Sequence, residues 1–294
     1  MRTGTGAIGV ALACALLCSL FVSTARAGET GLRQGFFYAG AGGSFNWSQF
    51  DQALQGVSGI TEVVIGPQVL AEGQAGGPYF NFDRDESGFA PDFQAGYIAP
   101  LGGAWQGGLK FTYRYANIDS SESVSIPQAG SVSTLPPLPP DTIDFTGFVP
   151  IRKAEMELKH QFAFLATIGR TYGKTMLYAG AGPALFGTET KFIDAMCFAT
   201  INGNLINVCG ASYSYRSEDW VWGGAAQIGA TYELGPRWFL DLNYTFARSR
   251  KFKLSYAIDF DNDTGVATSE GSGTLNARQQ ITNQAVALTV NRRF

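Results

Sequence analysis

The feature that most constrains this chain is a period of two. In eight stretches, roughly 35–47, 88–99, 105–117, 153–171, 175–190, 218–233, 237–250 and 277–294, bulky apolar residues alternate with small or polar ones. Successive side chains of a β-strand point to opposite faces, so this pattern predicts strands and not helices. The third stretch is the clearest: Leu109, Phe111, Tyr113 and Tyr115 alternate with Gly108, Lys110, Thr112 and Arg114. In a soluble sandwich the bulky parity would face a core and the other parity water. Here the second parity is mostly Gly, Ala, Thr, Asn and Gln, which suits a narrow lumen, while the bulky parity suits lipid. The expected fold is therefore all-β: a single antiparallel transmembrane β-barrel of eight strands. Each stretch meets the nine to eleven residues, or about that, which a tilted strand needs to cross a bilayer.

The connections alternate in length. Pro100-Leu101-Gly102-Gly103, Tyr172-Gly173-Lys174 and Gly235-Pro236 are tight turns. Stretches 48–87, 118–152, 191–217 and 251–276 are expected to be long loops on the opposite, extracellular side. Composition agrees with a lipid-facing wall. Charged residues make up 15% of the chain, against a usual ~25%, while aromatics reach 13% and glycines number 37.

The N-terminal segment is expected to be a cleaved signal peptide, residues 1–27, leaving a barrel domain over 28–294. Arg2 precedes an apolar core over 7–22, and Ala25-Arg26-Ala27 has the small-x-small form of a signal peptidase site. Cys14 and Cys18 lie in that core without a fitting lipobox, which argues against a lipoprotein. Removing the segment makes the charge more acidic than the −3 of the whole chain, and that balance argues against a nucleic-acid partner.

At the other end, Val286, Leu288 and Val290 alternate up to a terminal aromatic, Phe294. That pattern resembles the signal read by the barrel-assembly machinery, although Arg292 stands where an aromatic is usual. Together with Gly35-Phe36-Phe37-Tyr38-Ala39-Gly40-Ala41-Gly42-Gly43, the run from Trp222 to Ala230 and the run from Trp238 to Phe246, it resembles the OmpA-like outer-membrane β-barrel superfamily, especially the small surface-antigen barrels of alphaproteobacteria. The resemblance implies placement in the outer membrane of a Gram-negative bacterium, contact with outer-membrane lipid and lipopolysaccharide, and a surface-exposed role. It supplies no catalytic residues.

The residues themselves offer little chemistry, and no cofactor, metal or catalytic set is expected. Asp92, Lys110, Arg114, Glu157, Lys159 and Asp241 share the inward parity and are expected to form a charge network in the lumen. An eight-stranded barrel is only just wide enough for side chains to fill, so the network reads as a plug, with a narrow porin-like path as the alternative. His160 falls on the outward parity; a lipid A-modifying or proteolytic site would need a serine and an acid beside it, and Ser212 and Ser214 lie in the third loop. Cys197 and Cys209 survive processing and are expected to pair as a loop disulfide. Pro136 to Pro140 reads as a stiff exposed spacer, and Asp259, Asp261 and Asp263 as a solvated acidic loop rather than a calcium loop. The long loops are the expected contact for any extracellular ligand.

Overall fold

The computed structural model describes residues 35–263, 265 and 267–294. The expected signal segment, 1–27, lies outside the described residues.

Among the described residues twelve strands follow one another: β1 (Phe36–Ile65), β2 (Gln68–Gly76), β3 (Phe80–Gly102), β4 (Trp105–Thr134), β5 (Thr142–Tyr172), β6 (Thr175–Ala195), β7 (Phe198–Ile201), β8 (Asn204–Asn207), β9 (Tyr213–Glu233), β10 (Trp238–Ser249), β11 (Phe252–Asp263) and β12 (Thr268–Arg293). Eight of them pair in a cycle. β1 pairs with β3, β3 with β4, β4 with β5, β5 with β6, β6 with β9, β9 with β10, β10 with β12, and β12 with β1 again, all antiparallel. Over the stretch nearest the tight turns each strand is therefore paired on both sides, which is what lipid demands of a sheet.

The tight turns fall where the sequence puts them. Gly173, between β5 and β6, takes φ of +61°, a left-handed conformation that glycine adopts without steric cost. The four long connections differ from the expectation of loops. They are mostly continuations of the strands: β1, β4 and β5 each run 30 residues or more, and β2, β7, β8 and β11 lie wholly within the expected loops. Alternation persists there, but with the apolar residues on the other side of the wall.

The outer wall shows where lipid lies. Phe37, Tyr97, Trp105, Tyr172, Tyr232 and Trp238 are exposed near the turn end, and Trp47, Phe89, Tyr115, Trp220, Trp222 and Phe246 further up. Between them the wall carries exposed Leu109, Ile168, Leu177, Ile228, Leu242 and Leu288. On β1 the outward run from Phe37 to Trp47 is about ten residues, which at barrel tilt covers the roughly 25 Å of an apolar band. The strands continue well beyond it, so the barrel stands out of this band as a stalk.

Candidate functional site

The lumen within the apolar band is crossed by side chains. Asp241 on β10 is its hub. Its Oδ2 accepts hydrogen bonds from Lys110 Nζ on β4 at 2.6 Å and from Gln94 Nε2 on β3 at 3.0 Å, and its Oδ1 accepts from Tyr178 Oη on β6 at 2.8 Å. β4 and β10 stand four places apart either way round the ring, so the Lys110–Asp241 pair spans the lumen. Next to it, Arg114 donates from Nε and Nη2 to Asp92 Oδ2 at 2.9 and 2.6 Å. All four charged side chains are almost wholly shielded from solvent. Charges removed from water must be paired and hydrogen-bonded to be tolerated, and these are.

Further polar bridges lie around and above this layer. Gln94 also donates to Asn291 Oδ1 at 2.7 Å, Gln227 donates to Asn243 and Thr245, and Asn283 on β12 reaches across to Gln161 Oε1 on β5 at 2.6 Å. At the turn end, Tyr38, Ile98 and Phe239 form an apolar floor, with Arg293 over the Phe239 and Phe36 rings. On the other side, Phe50, Ile118, Met156, Leu158, Leu165, Phe186 and Ile281 form an apolar plug. Sealing thus comes from three stacked layers: apolar, polar, apolar.

Four of the six residues expected in the lumenal network meet there: Asp92, Lys110, Arg114 and Asp241. Glu157 and Lys159 do not. β5 carries an extra residue against β6 between Leu158 and His160, a β-bulge that switches which parity faces inward. Below the bulge Gln161, Ala163 and Leu165 point in; above it Met156 and Leu158 do, although the alternation alone puts these two outside. Lys159 is instead on the outer wall with Glu189 and Glu218, and Glu157 sits opposite Asp119 and Glu189 in the ladders. Tyr178, Gln94 and Asn291 join the network without having been singled out as its members. Tyr178 was legible in principle, because a tyrosine on the small-residue parity of β6 can only point into the lumen.

Just above the upper aromatics the outer wall carries an ion-pair belt. Lys191 bridges Glu155 at 2.7 Å and Glu189 at 3.3 Å, Arg216 reaches Glu189 at 2.5 Å and Glu218 at 2.9 Å, and Lys153 pairs with Glu155. Burial raises the Glu189 carboxyl, yet hydrogen bonds from Lys159 and Lys191 overcome that burial and hold it below the usual glutamate range. Glu157 goes the other way: burial, with Glu189 and Asp119 nearby, raises it.

His160 belongs to the upper aromatic girdle. Its ring stacks on Trp220 with centroids 5.8 Å apart, and its Nδ1 lies 3.1 Å from Tyr113 Oη. Gly187 makes the room, since a Cβ there would come within 2.9 Å of the Trp220 ring. Ser212 and Ser214 neighbour Asp194, away from His160. Asp259, Asp261 and Asp263 lie on strand β11, not in a loop, and are exposed along one face. Cys197 and Cys209 are joined, with Cα atoms 5.4 Å apart, and the bond closes the base of the β7–β8 hairpin. At the C-terminal strand Val286, Leu288, Val290 and Phe294 are exposed, while Arg292 lies over the Trp238 and Phe294 rings.

No family model matches this chain, and no curated protein sequence does. Among solved structures it is similar to the outer membrane protein OprG from Pseudomonas aeruginosa, with a TM-score of 0.35 and 11% identity over 87% of this chain and 97% of that one. It is also similar to Ail, the attachment invasion locus protein of Yersinia pestis, with a TM-score of 0.29 and 12% identity over 86% and 99% of the two chains. A third similarity is to the outer membrane protease OmpT from Escherichia coli, with a TM-score of 0.26 and 9% identity over 90% and 99%. These likenesses are loose, and the architecture of the chain rests on its own strand pairings and outer wall.

Proposed function

We propose that this chain is a non-enzymatic, surface-exposed β-barrel of the outer membrane of a Gram-negative bacterium. It contributes to the envelope and holds a rigid stalk above the outer leaflet for adhesion or recognition. The observation that carries this reading is the three-layered lumen, in which Lys110 and Asp241 meet across the full width of the ring. A path for ions would have to break a desolvated ion pair and two apolar layers. The exposed apolar band supports lipid as the surrounding medium, and the ion-pair belt above it fits the polar headgroup level of the outer leaflet. β12, with its outward Val286, Leu288 and Val290 and its terminal Phe294, is the segment that would engage the assembly machinery.

Refolded protein in a planar bilayer tests the sealed lumen. Silence at voltages that open porins is expected; reproducible unitary steps would replace this reading with that of a narrow channel. Lipid A incubated with the protein is expected to keep its mass, and a His160-dependent mass change would make the barrel an enzyme.

A further inference from the structure

The stalk contains a cavity that the sealed-barrel reading does not use. Above the plug, Leu54, Ile126, Ile151, Phe192 and Leu275 form a second apolar floor. Over that floor lies a cup of about 370 Å³, walled by residues of β1, β2, β4, β5, β6, β9, β11 and β12. Phe145, Phe198, Tyr215, Ile206, Ile258 and Phe260 line it, and among the described residues no Asp, Glu, Lys, Arg or His does. The β7–β8 hairpin extends this wall beside β5, and both half-cystines touch the space. Asn262 on β11 donates to the Asn207 carbonyl at 2.7 Å and ties that hairpin to β11.

The wall beside the cup has an unpaired seam. β11 pairs only with β12, and the upper half of β9 only with β6, so among the described residues no ladder joins β9 to β11. The seam is closed by side chains instead: the Tyr215 and Tyr256 rings lie 4.9 Å apart, and Phe192 meets Tyr256 at 5.6 Å. Parting β9 from β11 there breaks no ladder hydrogen bond.

We propose that this cup is a binding site for one small, uncharged, apolar molecule taken up from the extracellular side. Apolar cavities of this kind stay dry and accept apolar guests; one of about 150 Å³ takes benzene. A cup more than twice that size fits a fused two-ring aromatic or a short acyl chain. The absence of charged lining residues excludes an ionic ligand, since a buried charge would find no partner. A walled space of this volume with an apolar floor fits a small molecule and not a protein segment.

The test uses the full chain in lipid nanodiscs with naphthalene as probe, and isoleucine methyl NMR as readout. Saturable shifts are expected at Ile201, Ile206 and Ile258, which line the cup, and not at the lipid-facing Ile168 and Ile228. Shifts at the lipid-facing pair alone, or at none, would overturn the proposal. Filling the cup by Ala195→Trp should weaken the saturable binding tenfold or more, whereas Ser121→Trp on the outer face of β4 should leave it unchanged; equal affinity in both would also overturn it. The methyl spectrum of the unsubstituted protein decides the matter even where Ala195→Trp fails to fold. Bilayer conductance is a separate readout, so a porous lumen and an empty cup are distinguishable failures.

Discussion

The two halves of this barrel share most of their strands and have opposite chemistry. In the lower half the outside is apolar and the inside is a hydrogen-bonded polar layer. In the stalk the outside carries Arg84, Asp119, Glu122, Glu155 and Arg216, while the inside holds Leu54, Ile126, Ile151 and Phe192. β1 makes the change without altering its geometry: Ser44, Asn46 and Ser48 point inward below, and Phe50 and Leu54 point inward above. β5 makes it with a bulge. The contrast teaches that parity tells which residues share a face, while the medium around the wall tells which face is apolar. Where lipid surrounds the ring, polar groups retreat inside and satisfy one another. Where water surrounds it, the ring folds like a soluble barrel.

The sharpest way to break this contrast is to unpair the lower lumen. Asp241→Ala leaves Lys110 buried without its carboxylate, and the expected loss is about 3–5 kcal/mol. Replacing both by apolar residues, Lys110→Met with Asp241→Leu, should recover most of it. Urea titrations followed by the mobility difference between folded and boiled protein measure both variants. If the single and double variants unfold together, the pair is not the hub of the lower half. A second comparison acts on the outer face. Ile228→Arg, near the middle of the apolar band, should cost about 2–4 kcal/mol in lipid. Ser121→Arg, on the outer face of the stalk, should change stability by no more than about 0.5 kcal/mol. Equal losses at the two sites would mean that the band and the stalk share one solvent.

How much of this was readable beforehand follows from the same contrast. The eight lower strands, their turns and the inward set of Asp92, Lys110, Arg114 and Asp241 were legible, because a strand in lipid shows its bulky parity outside and its small parity inside. The stalk was not. Its strands have weaker alternation, and residues such as Ser131, Gly130 and Ser133 read locally as loop; only pairing with Asp144, Phe145 and Thr142 across the sheet makes them strand. The bulge at Lys159 was also hidden, since inserting one residue leaves the sequence still alternating on each side. That single insertion moved Glu157 and Lys159 from the expected network to the outer belt. The cup depends on which residues of eight distant strands converge, and no local pattern carries that.

The disulfide sharpens the contrast by acting on one half alone. Closing a loop of this length stabilises by about 3 kcal/mol in the chain-entropy account, here applied to a hairpin that β5 holds through only Thr146, Gly147 and Phe148. Reduction, or Cys197→Ser with Cys209→Ser, should therefore speed hydrogen exchange over 198–207 and leave the β10–β12 ladder unchanged. Faster exchange in the lower ladder would show that the stalk and the membrane band unfold as one unit.

The weakest effect expected is that of acid on the belt. Burial raises Glu155 and Glu189, but hydrogen bonds from Lys153, Lys159 and Lys191 outweigh it, and those from Arg216 and Lys159 lower Glu218. Carboxylates with lowered values contribute stability that is complete above the ordinary glutamate value of 4.5 and is lost as the pH falls below it through their folded values. Glu157 opposes them, because its raised value means that protonation between that value and 4.5 relieves the folded state. The stalk should thus gain slightly on mild acidification and then lose stability below 4.5, by less than about 1 kcal/mol, since exposed pairs are screened. Salt at about 1 M, where charges are screened beyond roughly 3 Å, should flatten the curve. Glu157→Gln should remove the initial gain and keep the later loss. A monotonic fall from neutral pH in the unsubstituted protein would mean that Glu157 does not oppose the rest of the belt.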